Sequence, residues 1–155
     1  MSFIREPDEL PPDPLFELKV SPYPNPVTAR GMKLIEQNIA ELNAQIADSP
    51  IELVKERLLR DLRYWTARKE TARVVERADD SDEVGFGSRV TFRRGNGPPE
   101  TIEIVGEDES DPHSGRIAWV APLASAMMGA QAGEVVTLEN RRPATPITIL
   151  SIEKI

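Results

Sequence analysis

The sequence predicts an α+β protein: an antiparallel helical hairpin of the coiled-coil kind, followed by a small antiparallel β-sheet domain with one short helix. Three observations lead there. Between residues 35 and 72 the apolar side chains recur at spacings of three and four, which places them on one face of a helix. Between residues 84 and 155 they alternate every second residue, the period of a half-buried strand. Clusters of turn formers, Gly95-Asn96-Gly97-Pro98-Pro99, Ser110–Gly115 and Asn140–Pro143, divide that second region. A chain of 155 residues supplies one compact domain and a smaller element.

Residues 1–27 form a proline-rich arm that holds seven of the fourteen prolines. Proline lacks an amide donor and blocks helices, so the arm is expected to be extended or disordered, with Leu15, Phe16 and Leu18 able to rest on a neighbouring surface.

Residues 28–76 follow as the hairpin. Its first helix carries Ile35, Ile39, Leu42 and Ile46, and its second Ile51, Val54, Leu58, Leu62, Trp65, Lys69 and Ala72. These two stripes read as the seam of side-by-side helices, made antiparallel by a short connection. The first helix, residues 29–47, would be about 28 Å long at 1.5 Å per residue. In the turn Ala47-Asp48-Ser49-Pro50-Ile51-Glu52, Ser49 suits an N-cap, Pro50 the first helical position and Glu52 the third. That is a capping box, with proline where its missing N–H is harmless. Glu52 thereby has a structural job, while Asp48 is uncommitted.

An acidic linker, residues 77–83, leads to the second domain, residues 84–155. Strands are expected over Arg89–Arg94, Glu100–Val105, Arg116–Val120, Glu134–Glu139 and Ile147–Ile152. A short apolar helix, Leu123–Met128, ends at Gly129, a good C-cap. Leu123, Met127 and Met128 read as core packing of that helix.

Several kinds of chemistry are disfavoured. The net charge is −7 and only residues 28–75 are net basic, nine bases to seven acids; tight sequence-independent binding to nucleic acid needs cationic surface. With no cysteine, disulfides, thiolate metal sites and thiol nucleophiles are excluded. His113, the single histidine, sits in a polar turn with no titrating partner in view. Gly85-Phe86-Gly87-Ser88 precedes a strand rather than opening a helix, which rules out a phosphate loop. The acidic runs Asp79–Glu83 and Glu107–Asp111 read as solvated connections. No apolar run reaches the length of a membrane span, and MSFIREPDELPP has no apolar core of a secretory signal. A cytoplasmic protein is expected.

Val84-Gly85-Phe86-Gly87-Ser88-Arg89-Val90, Ile104-Val105-Gly106-Glu107-Asp108-Glu109 and Ala121–Gly129 with Gly133-Glu134-Val135-Val136 fall in order and at fitting spacing. Together they resemble the C-terminal domain of the GreA/GreB transcription elongation factors. Thr28-Ala29-Arg30-Gly31 resembles the family's helix-opening T-x-x-G, and Ala72-Arg73-Val74-Val75 the exit of its second helix. The likeness covers residues 28–155. It implies an FKBP-like second domain and a bacterial RNA polymerase partner, with nucleic acid met only through the transcription complex. It implies that the loop at Ala121, Pro122 and Leu123 docks on the polymerase, with Ala121 where the family has serine. It further implies that the coiled coil enters the secondary channel, where tip acids help hold the polymerase's catalytic Mg²⁺ while backtracked RNA is cleaved. The protein would then be no enzyme and bind no cofactor of its own; Asp48 and Glu52 would touch that Mg²⁺ only indirectly. The family's G-D-x-x-E-N-A-[ED]-Y stretch, which carries those acids, has no counterpart here, and the matching flanks lie closer together. The expectation is therefore a regulator that modulates elongation without strong stimulation of cleavage. Asp48 stays open between an idle exposed acid and a contact to the channel entrance. A shortened hairpin also resembles Rnk-like proteins, regulators of nucleoside diphosphate kinase. A prolyl isomerase would need a deep aromatic pocket, for which the domain offers only Phe86, Phe92 and Trp119. A plain interaction module would use the proline-rich arm as its handle.

Overall fold

The computed structural model describes residues 15–139 and 143–155; residues 1–14, the first half of the expected arm, and residues 140–142 lie outside the described residues. The order of elements is strand β1 (Pro26–Val27), helices α1 (Ala29–Asp48) and α2 (Glu52–Thr71), strands β2 (Arg73–Val74), β3 (Ser88–Arg94), β4 (Pro99–Val105) and β5 (Arg116–Ala118), helix α3 (Pro122–Met127), and strands β6 (Val135–Leu138) and β7 (Thr145–Lys154). No helix among these residues is long and apolar enough to cross a membrane.

The hairpin forms as the spacing predicts, with a graded seam. Ile35 is buried, Ile39, Leu42, Ile46, Leu58, Leu62 and Trp65 are half-buried, and Ile51 and Val54 at the far end are exposed. Two helices alone cannot enclose a stripe of side chains, so burial rises only where a third layer is added. That layer is the second domain, at the hairpin's base. There the residue of α2 that goes inside is Arg68, not Lys69, which is exposed. Entry and exit are tied together, because β1 and β2 pair in parallel, Pro26 with Arg73 and Val27 with Val74.

Five strands make the sheet, in the order β5-β4-β3-β7-β6. It is antiparallel, as expected, except at one edge, where β5 runs parallel to β4. The segment between those strands is long enough to return the chain to the same end of the sheet. It does so through two 3-10 turns, Glu107–Glu109 and Pro112–Ser114. The first of these turns packs on α1. In β3 the alternation puts Ser88, Val90 and Phe92 inside. A bulge in β7 opposite Thr91 and Phe92 adds one residue, so Ile149 pairs with Phe92 and Ile152 with Val90. The bulge restores the facing that a separation of three residues would reverse. Val90, Phe92 and Ile149, with Ile102, Ile104, Leu138, Ile147 and the α3 residues Ala124 and Met127, form the core, and Ile152 packs against it.

Candidate functional site

Asp48 is the last residue of α1 and Glu52 the first of α2. The expected capping box does not form. The N-cap of α2 is Ile51, with no side-chain bond, and Ser49 is instead the C-cap of α1, extended at φ −83° and ψ 120°. Pro50 supplies the reason: its ring disfavours the helical region for the residue before it. Ser49 is thus held extended, and α2 starts two residues later than the capping pattern implies. Glu52 therefore caps nothing. Its side chain is 85% exposed, with Lys55 Nζ 4.0 Å away. Asp48 is exposed as well. Among the described residues no three acidic or histidine side chains gather as a metal cage. Beside the two acids the tip shows Ile51, Leu53 and Val54, all exposed.

The loop before α3 is built on the edge of the sheet. The backbone N–H of Trp119 donates to Val105 O (2.9 Å), and Ala121 N donates to Ala118 O (2.9 Å). Ala121, where a serine would cap, is the N-cap of α3 without a side-chain bond. Pro122 opens the helix and is exposed. Leu123 is half-buried against the core. Met127 is buried, while Met128 is 39% exposed and so is not wholly core. Beside this loop the rings of Tyr23 and Trp119 meet edge to face, centroids 6.3 Å apart. His113 is exposed in its 3-10 turn.

The base of the hairpin holds a cluster that the sequence reading missed. Glu107, Asp108 and Glu109 read as solvated, yet the Asp108 and Glu109 side chains are 7% and 4% exposed. Arg68, 1% exposed, donates Nε to Asp108 Oδ2 (2.6 Å) and Nη2 to Asn25 Oδ1 (2.9 Å). Tyr64 Oη donates to the other Asp108 oxygen. Asn25 Nδ2 donates back to Arg68 O (2.8 Å) and to Thr71 Oγ1 (3.1 Å). On α1, Thr28 Oγ1 accepts from Gly31 N (3.0 Å) as the N-cap and donates to Glu109 Oε2 (2.6 Å), while Arg30 Nε donates to Glu109 Oε1 (2.8 Å). The acid thus lies at the N-terminus of α1, where orphan amides and the helix dipole favour negative charge. Burial first, then the hydrogen bond to Asp108 and the charge of that carboxylate, push the Tyr64 phenol up to about 12. The signal that could have found this clamp is Tyr64 and Arg68 one helical turn apart, facing the acids after Gly106. The chain also explains two glycines. A Cβ at Gly106 would stand 2.6 Å from Pro26 O, and one at Gly31 2.8 Å from Glu109 Oε2.

Comparison with known proteins decides the family. Residues 79–154 match the profile described as "Transcription elongation factor, GreA/GreB, C-term". The chain is 40% identical over 98 residues to transcription elongation factor GreB of Neisseria meningitidis, a match covering 62% of this chain and 60% of that one. It is 30% identical over 151 residues to transcription elongation factor GreA of Limosilactobacillus fermentum, covering 83% of this chain and 96% of the relative. The chain belongs to the GreA/GreB family. The 151 aligned positions exceed what 83% of a 155-residue Gre-family chain supplies, so gaps on this side accompany the match. The match to the GreB relative spans only 60% of that protein's length. Among solved structures, GreA factor homolog 1 (Gfh1) of Thermus thermophilus aligns with a TM-score of 0.41 at 14% identity, over 84% of this chain and 99% of that one.

Proposed function

We propose that this Gre-family chain binds bacterial RNA polymerase and modulates elongation without strongly stimulating transcript cleavage. The loop at Ala121, Pro122 and Leu123 docks on the polymerase, and the hairpin points into the secondary channel. The tip geometry carries this reading. Cleavage support requires carboxylates that complete the ligand sphere of a polymerase-held Mg²⁺. Here Asp48 and Glu52 end two different helices, are both solvated, and have no third acid beside them. Each helix has twenty residues, so the hairpin reaches about 30 Å. Within the match to the GreA relative, that protein carries residues this chain lacks. The chain holds no ion of its own in this reading. Asp48 and Glu52 touch the polymerase Mg²⁺ only indirectly, and nucleic acid is met only inside the transcription complex.

The test adds the purified protein to backtracked polymerase complexes with Mg²⁺ and follows RNA length on a gel. The expected result is little cleavage, together with competition against an active Gre factor added alongside. Strong cleavage that disappears on Asp48→Ala or Glu52→Ala would overturn the proposal.

A further inference from the structure

We infer that residues 17–25 are a strap that fixes the direction of the hairpin relative to the loop before α3. The segment touches α2 at both ends and the sheet domain in the middle. At one end the Glu17 carboxylate takes two hydrogen bonds from Arg63 on α2, one of them 3.0 Å from Nε. In the middle Tyr23 packs its ring on Trp119, directly before the loop. At the other end Asn25, 7% exposed, is fastened to Arg68 and Thr71 by its side chain, and Asn25 O accepts from Arg73 N (3.1 Å).

The lengths fit a strap rather than a tether. From Arg63 to Arg68, α2 advances only about 7.5 Å, whereas eight extended residues span up to about 26 Å. The surplus lets the chain leave α2, reach the loop and return. The need for it is geometric. α1 meets the sheet domain through the turn Glu107–Glu109, close to the hairpin's base. A lever held there swings at its tip: a tilt of about 10° displaces the end of a hairpin about 30 Å long by about 5 Å. Tyr64 and Arg68 of α2 bond to that same turn, so a further attachment away from it, running from α2 through Tyr23 to Trp119, removes that freedom. Asn25 joins strap and clamp, because the same Arg68 guanidinium bonds to both Asn25 and Asp108.

The chain has no cysteine, so spin labels placed by Ala47→Cys near the tip and Thr137→Cys on β6 read one distance. The full-length double-cysteine protein should give a narrow distribution, and adding Tyr23→Phe should leave it unchanged, since the ring contact survives. Tyr23→Ala and Asn25→Asp should each shift the peak or broaden it beyond the Tyr23→Phe width. If both superimpose on the parent, the strap is overturned. Should Asn25→Asp lose helical circular dichroism, Tyr23→Ala, which alters an exposed ring, decides alone. Any bearing on transcription rests on the proposed polymerase binding, tested separately with Pro122→Asp. Undiminished binding by that variant refutes the docking loop and leaves the distance result standing.

Discussion

Arg68 is a charge on the second helix that the fold places inside, and its consequences are local and testable. Replacing it with alanine leaves Asp108 buried without its counter-ion, so Arg68→Ala should cost about 3–5 kcal/mol in urea unfolding. Gly106 faces Pro26 O at a distance no Cβ tolerates. Gly106→Ala should therefore cost about 1–3 kcal/mol, seen as a lower melting temperature. Tyr64 makes the clamp sensitive to alkali. Its phenol is raised to about 12 in the fold, against about 10 in an unfolded chain. The folded protein holds this proton more tightly. The resulting stability is complete below pH 10 and fades as pH rises from 10 toward 12. Tyr64→Phe should flatten stability over that range, measured by unfolding at stepped pH. None of this cluster was legible locally. Asp108 and Tyr64 are separated by 44 residues and Glu109 and Thr28 by 81, and an acid run in a connection looks the same whether water or arginine surrounds it.

At the scale of elements, helix existence followed from periodicity while one helix end did not. The seam spacing located α1 and α2, and the alternation located β3, β4, β6 and β7 within a residue or two, apart from a β7 that runs longer than the pattern. The start of α2 escaped because two local rules compete over Ser49-Pro50. A capping box wants Pro50 in the first turn; the steric demand of Pro50 wants Ser49 extended, and the reversal between antiparallel helices adds its weight to the second. A weak start remains, since Ile51 offers no side-chain acceptor. Ile51→Asp should supply one, stabilising the protein by about 0.5–2 kcal/mol, readable as a higher midpoint of the helical signal on heating. The parallel pairing of β5 is likewise invisible in a run of three residues. It depends on where the two 3-10 turns set the chain down.

For the whole molecule, stability should fall along the hairpin away from the sheet. The core strands bury Val90, Phe92, Ile104, Ile147 and Ile149 completely, whereas Ile51, Leu53 and Val54 at the tip stay exposed. Native-state hydrogen exchange should therefore be slowest in β3 and β7, intermediate around Arg68, and fastest in the first two turns of α2. Uniform protection along α2 would contradict that gradient. By itself the sequence determined the α+β class, the hairpin-then-sheet order, the family and the placing of Asp48 and Glu52 at the tip. These rest on periodicity, turn chemistry and short motifs, each confined to a few neighbouring residues. Only the tertiary structure decided that Glu52 caps nothing, that Arg68 and two of the acids after Gly106 are buried, and that part of the arm spans helix and loop. Burial is a property of what arrives from elsewhere in the chain: when helix and turn close on each other, the same side chains pass from water into a pairing that local sequence does not encode.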